Sequence, residues 1–411
     1  MTMNLRRIRQ ILKETDYVRT GGSAEELRTA EYLAALCREL GAKTSLESFP
    51  VQMGELRSAS LSADGADVPC TGYLCCGSGT AEGRFVYLPN TDAASVGSVK
   101  DAVVLIEGGM QHFLFQDLYE NGARGFITYN GDVNKPDRDI DRKELRSYVS
   151  LGKKLPGVNI HAKDAFALVK NGTKTVRLSV EQREYEGASR NVIAEVPGTG
   201  EEWIVLTAHY DSTPLSRGAY DNMSGCIGLL EILEALAPGA PYRYGLRFVF
   251  CGSEERGLLG SKAYTEAHAD ELDRIALNIN LDMIGSYMGR FIACVSAEEA
   301  LVSYIRYFAA QRGWGIAARQ GVYSSDSTPF ADKGVPAVSF ARIAASGQAV
   351  IHERYDTMAL LSEKQLRDDG AFLADFVRSM ADAAVCPVKR VIPDKVRDEL
   401  DVYLNRKRKE E

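Results

Sequence analysis

"FVFCGSEERGLLG" (residues 248–260) runs from an apolar, β-forming segment into two adjacent glutamates, Glu254 and Glu255. An apolar run of this length stopped by glycine reads as a buried strand. Two acids side by side raise each other's cost of charging, so the bland reading is a solvated turn. The alternative is a working pair at a strand end. Moving outward, the same design recurs. Strand-like runs lie at 191–196 ("NVIAEV"), 202–211 ("EWIVLTAHYD"), 276–285 ("ALNINLDMIG"), 291–296 ("FIACVS") and 335–341 ("VPAVSFA"). Helical stretches separate most of them, at 222–237, 298–313 and 363–384. This alternation predicts an α/β fold, a three-layer α/β/α sandwich around a central sheet. The short join "EVPGTGEEW" (195–203) looks like a hairpin and makes the expected sheet mixed.

Upstream, residues 24–41 read as an amphipathic helix closed by Gly41. From about residue 52 the character changes to Gly, Ser and β-formers. A strand (101–109), a helix (112–123) and a strand (124–130) follow, then a charged excursion at 135–154. The expected organisation is a main domain of residues 1–52 and 186–388, a β-rich insertion at 53–185, and a charged helical tail at 389–411. In that tail Val396, Leu400, Tyr403 and Leu404 share one helical face, predicted to dock on the body.

The 411-residue chain is 45% apolar and 26% charged, with a formal net charge of −7. That balance suits a soluble globular protein and offers no electrostatic footprint for nucleic acid. No apolar run approaches a membrane span, and the N-terminus lacks a signal-peptide core. The eight cysteines are scattered without a Cys-x-x-Cys pair. They read as free thiols of a reducing, cytoplasmic compartment. "NMS" (222–224) and "NGT" (171–173) match glycosylation sequons and are read as chance.

Five histidines exist, and two stand out. His209 ends the run "IVLTAH", with Asp211 two residues on. His352 sits in "VIHERYDT". Carboxylates recur in the same setting: Asp221 in "GAYDNMSG", Glu254 and Glu255 after "LRFVFCG", and Asp282 after "LNINL". In an α/β sheet such strand ends converge on one edge. Acids gathered there repel unless protonated, paired or neutralised by cations. Metal ions are the simplest neutraliser, and a mixed His/carboxylate set suits catalytic zinc. Two ions sharing one carboxylate need five protein ligands, and His209, Asp221, Glu255, Asp282 and His352 number five. Glu254 is then left free beside a ligand, and Asp211 is placed to accept from the other ring nitrogen of His209. Without metal, at least one of the two glutamates should have a raised pKa.

"AHYDS" (208–212), "GAYDNMSG" (218–225), "GSEERGLLGSKAY" (252–264), "NLDMIG" (280–285), "SDSTPFADKGVPAVSF" (325–340) and "IHERYDT" (351–357) resemble, in order, the motif series of the M28 family of dizinc metallopeptidases. The resemblance covers about residues 186–385. Residues 1–52 are similar to the family's N-terminal helical segment, and 53–185 look like an inserted protease-associated domain. It implies the zinc-exopeptidase fold with two Zn2+ per chain. His209 and Asp282 would hold one ion, Glu255 and His352 the other, and Asp221 both. Glu254 would be the general base and Tyr323 a stabiliser of the tetrahedral intermediate. The peptide bond after Asp221 would be cis. "SDS" (325–327) departs from the family's usual "SDH". The implied activity is removal of N-terminal residues from a peptide or aminoacyl substrate by a metal-bridged hydroxide. Three alternatives share the scaffold: a glutaminyl cyclase, a carboxypeptidase using basic residues such as Arg138, Arg142 and Arg146, and a non-catalytic receptor-like protein.

Overall fold

The structure, a computed structural model, describes residues 3–408. The chain divides into two compact units, residues 1–51 with 188–411 and residues 52–187. In the first unit the strands lie in the order Ala317–Gln320, Gly289–Ser296, Ala337–Ala344, Ile275–Leu281, Trp203–His209, Gly245–Cys251 and the end of Thr175–Val196. The four strands from Ala337–Ala344 to Gly245–Cys251 are mutually parallel. Antiparallel pairing flanks them on both sides, with Gly289–Ser296 and with residues 192–196. The sheet is therefore mixed, but not for the reason expected. The two strands flanking the 195–203 join are not partners, because Gly245–Cys251 lies between them. That strand pairs antiparallel with one and parallel with the other, with Cys251 opposite His209.

Strand periodicity distributes the core. Ile204, Leu206 and Ala208 face one side with Leu277, Ile279, Phe248 and Phe250. There they meet the helices Leu5–Glu14, Ala24–Glu39, Ser224–Leu236, Glu299–Gln311 and Glu363–Ala381. The alternate residues Val205 and Val249 pack with Tyr264 and Phe330 from the helices Leu259–Ala267 and Ser327–Asp332 on the other side. Burying a Leu or Phe in such a layer contributes about 1.5–3 kcal/mol. Two helices start on serine caps: the Ser23 hydroxyl accepts from the Glu26 N–H, and that of Ser362 from the Gln365 N–H. The C-terminal helix Asp394–Tyr403 buries Val396 and Leu400 beside Ala331 and Ala337. Tyr403 and Leu404 are half-buried. Residues 409–411 of the predicted tail fall outside the described residues.

The second unit has its own core, built on the parallel strands Gly79–Tyr87, Ala102–Glu107, Gly125–Asn130 and Gly157–His161. The helices His112–Glu120 and Ala162–Lys170 follow the second and fourth of them. The charged 135–154 segment is mostly irregular, with one short helix at Ser147–Ser150. None of the eight cysteines forms a disulfide. Among the described residues no helix is long and apolar enough to cross a membrane.

Candidate metal centre

The parallel strands end on one edge, and the predicted residues leave from those ends. His209 closes its strand, Glu254 and Glu255 follow Cys251, and Asp282 follows Leu281. The helix Ser224–Leu236 is preceded by a turn, Ala219–Met223, that carries Asp221. The Asp221–Asn222 peptide bond is cis. Asn222, fully buried and so no glycosylation acceptor, ties this turn to the Asp282 loop. Its Nδ2 donates to the Leu281 carbonyl at 2.9 Å, and its Oδ1 accepts from the Met283 N–H at 3.0 Å. His352 arrives from a loop with its backbone in the left-handed region, at φ 63°.

Asp221 lies at the centre. Its Oδ1 is 3.1 Å from Nε2 of His209, and its Oδ2 is 3.1 Å from Nε2 of His352. Asp282 Oδ1 is 3.8 Å from His209 Nε2, and Glu255 Oε2 is 3.2 Å from His352 Nε2. Two donor sets result, His209 with Asp221 and Asp282, and Asp221 with Glu255 and His352. In each, the donor atoms all lie within 4.8 Å of one another. Asp282 Oδ1 is buried with no hydrogen-bond partner among the described residues. A buried carboxylate oxygen left this way is costly unless a cation meets it. Oxygen and imidazole donors in this proportion suit zinc.

The electrostatics agree. Burial opposes charge on His209, but Glu254, Asp211, Asp221 and Asp282 outweigh it and hold its pKa well above the ordinary value. His352 is pushed up to about 11, burial being overcome by Asp221 and Glu255. Burial also opposes charge on Asp221, yet the two imidazoles hold its carboxyl below the usual range. Burial raises Glu254 well above the ordinary value, with Glu255, Asp326 and Asp282 adding to it. Glu255 is raised by burial and by Asp221. Both glutamates of the opening motif are thus shifted upward. Without ions, protons on the histidines are the cations this cluster collects.

Asp211 sits 3.4 Å from Nδ1 of His209. Its firm hydrogen bonds go elsewhere: it accepts from the backbone N–H of Glu254 at 2.9 Å and of Glu255 at 3.2 Å. Tyr323 is half-buried, and burial, with Asp282 and Asp221 nearby, keeps its phenol protonated. Asp326, from the "SDS" motif, accepts from the Ser261 hydroxyl at 2.6 Å. Several residues of the site were not singled out from the sequence. Asp356 is fully buried and accepts from the N–H groups of Tyr220 at 2.7 Å and Asp221 at 3.0 Å. It lies inside "IHERYDT", so its acid was in view. Arg19, also fully buried, donates to the carbonyls of Thr15, Tyr17, Tyr210, Arg217 and Gly218, the last three of which lie between His209 and Asp221 in the chain. No spacing in the sequence signals it.

Comparison with known proteins finds similar chains. Residues 191–377 match the profile of Peptidase family M28. The chain is 28% identical over 347 residues to Aminopeptidase YwaD of Bacillus subtilis (strain 168), covering 80% of this chain and 73% of that protein. It is 31% identical over 195 residues to the Probable lipoprotein aminopeptidase LpqL of Mycobacterium tuberculosis, covering 46% of this chain but only 37% of that protein. Among solved structures, an aminopeptidase from Aneurinibacillus sp. strain AM-1 superposes with a TM-score of 0.78 at 22% identity, covering 95% and 96% of the two chains. BSAP, a zinc aminopeptidase from Bacillus subtilis, gives 0.74 at 24% identity, covering 94% and 97%. The Porphyromonas gingivalis glutaminyl cyclase gives 0.52 at 15% identity, covering 92% and 98%. At these identities the structural likeness speaks for the fold.

Proposed function

We propose that this chain is a zinc-dependent aminopeptidase with two ions per chain, a reading supported by the match of residues 191–377 to peptidase family M28. The observation that carries the reading is Asp221, whose two oxygens each face a different histidine at 3.1 Å. His209 and Asp282 would hold one ion, Glu255 and His352 the other, and Asp221 both. When bound, such a pair supplies Lewis acidity, lowering the pKa of water towards ~7 and polarising the scissile carbonyl. The chain's residues do the rest. Glu254 has its carboxylate 3.9 Å from His209 Nε2 and belongs to neither donor set. It takes the proton of the attacking water on a carboxylate oxygen and returns it to the leaving amine. Asp211 orients it through the backbone. The protonated phenol of Tyr323 is a donor towards the developing oxyanion. The carboxylates of the cluster also favour a substrate bearing a free α-ammonium group. The 52–187 unit, with its strand–helix–strand run, is read as protease-associated-like.

A panel of aminoacyl-nitroanilides and N-blocked peptides, with metal analysis, tests this. Hydrolysis of free but not blocked N-termini, abolished by a chelator and restored by zinc, is expected. Equal cleavage of blocked substrates would overturn it. A single zinc per chain with cyclisation of N-terminal glutamine would instead favour the glutaminyl cyclase reading.

A further inference from the structure

Ser253, just before the two glutamates, has φ 54°, a left-handed conformation that side chains other than glycine's rarely adopt. What holds it there comes from the far end of the sequence. Glu26, in the helix Ala24–Glu39, is fully buried. Its Oε1 accepts from the Ser253 N–H at 3.0 Å, the Ser253 hydroxyl at 3.2 Å and the Ser189 hydroxyl at 2.6 Å. Its Oε2 accepts from the Gly22 N–H at 2.7 Å. The next two N–H groups, of Glu254 and Glu255, go to Asp211. Three successive amides of the "SEE" turn are therefore held by two buried carboxylates. On the other side of the pair, Arg256 Nη1 donates to the Gly21 carbonyl at 2.9 Å.

Two glycines make this approach possible. A Cβ on Gly252 would lie 2.8 Å from Glu26 Oε1 and 2.4 Å from the Arg190 carbonyl. A Cβ on Gly21 would lie 2.2 Å from the Ser253 hydroxyl. Both contacts are closer than side-chain carbons tolerate, so the backbone at each end of this junction leaves room for the other.

A purely local role must be weighed first. Ser23 and Glu26 have the spacing of a helix capping box, in which the acid returns to the backbone at the helix start. The bond to the Gly22 N–H, one residue before the cap, is local in the same way, although the Ser23 N–H itself goes to the Thr20 carbonyl. The three bonds to Ser253 and Ser189 are not local, since they lie 227 and 163 residues away in the chain.

We propose that Glu26 is a positioning residue for catalysis. It sets the Ser253 turn, and through it the placement of the proton-accepting Glu254 and the metal-ligating Glu255. The proposal rests on the aminopeptidase reading above.

The test uses the full chain and three variants: Glu26→Ala, Glu26→Gln, and Thr29→Ala as a matched control. Thr29 is buried on the same helix and bonded to Tyr17 and the Glu25 carbonyl, with no hydrogen bond to the turn among the described residues. Each is measured for melting temperature, kcat and KM on an aminoacyl-nitroanilide at saturating zinc, and zinc affinity by chelator competition. Glu26→Ala is expected to lower kcat ~10–100-fold with KM nearly unchanged and to weaken one of two zinc ions ~10-fold. Glu26→Gln, which keeps one acceptor oxygen, should recover part of both. Thr29→Ala should lose stability without either effect. If Glu26→Ala changes kcat and zinc affinity no more than Thr29→Ala does, the proposal falls. If Glu26→Ala does not fold, Glu26→Gln decides, and wild-type kcat and zinc affinity there would overturn it. Should the wild type bind zinc yet cleave no aminoacyl substrate, the aminopeptidase reading fails by itself. The zinc-affinity comparison then still decides the role of Glu26.

Discussion

Glu254 and Glu255 are chain neighbours of like charge with different surroundings. Glu255 pairs with His352 at 3.2 Å and belongs to a donor set, whereas Glu254 stands outside both sets. This division predicts different phenotypes. Glu254→Gln should retain both zinc ions by metal analysis and lose ~10²–10⁴ in kcat, the usual contribution of a positioned base. Near-wild-type turnover in a zinc-loaded variant would remove Glu254 from that role. At this scale much was legible. His209, Glu254, Glu255, Asp282 and His352 could be picked out because each follows an apolar run, and Asp221 because it precedes an apolar helix, places where a charge is out of place without a purpose. Asp211 was visible too, but its partners were not. Its short bonds are to backbone amides contributed by another strand end, and backbone amides carry no residue-specific signal.

Among the elements, the helix Ser224–Leu236 shows how a buried charge can belong to packing. Glu231 on this helix is 3% exposed, and neither carboxylate oxygen has a hydrogen-bond partner among the described residues. Gly370 on the helix Glu363–Ala381 makes room for it, since a Cβ there would lie 2.0 Å from Oε2. Burial, with Asp369 and Glu234 adding, pushes Glu231 up to about 8. The sign follows from linkage. The folded state prefers the protonated acid, so the cost is absent below the unfolded pKa near 4.5 and grows as pH rises to about 8. Stability should therefore fall across this window, by up to about 5 kcal/mol at about 1.4 kcal/mol per pH unit. Glu231→Gln should flatten that slope in denaturant titrations at pH 5, 6.5 and 8. An unchanged slope would show that Glu231 does not titrate there. Helices and strands were readable because their apolar periods are local. The hairpin expected at 195–203 misled because strand adjacency is not local: Gly245–Cys251 enters between two strands that are consecutive in sequence.

For the whole molecule, a metal-filled site and the fold would be one energetic system. The first unit gathers Asp211, Asp221, Glu254, Glu255, Asp282, Asp326 and Asp356 around two histidines in its interior edge, five of them buried to 5% exposure or less. Ions that bind only the folded state stabilise it by about 4 kcal/mol at a thousandfold excess over Kd. Removal of metal with a chelator should therefore lower the melting temperature by several degrees or more, and zinc should restore it. A melting curve indifferent to chelator and zinc would contradict a metal-filled site. What the amino-acid sequence determined by itself was the layer architecture and the inventory of chemical groups, because period and composition are written locally. Which distant groups hold that inventory in place was settled by packing alone. Arg19 and Glu26 reach the His209, Gly218 and Ser253 loops across roughly 190 to 230 residues of chain. Such contacts arise from satisfying buried backbone amides and carbonyls after the chain has folded, a demand that no stretch of sequence expresses alone.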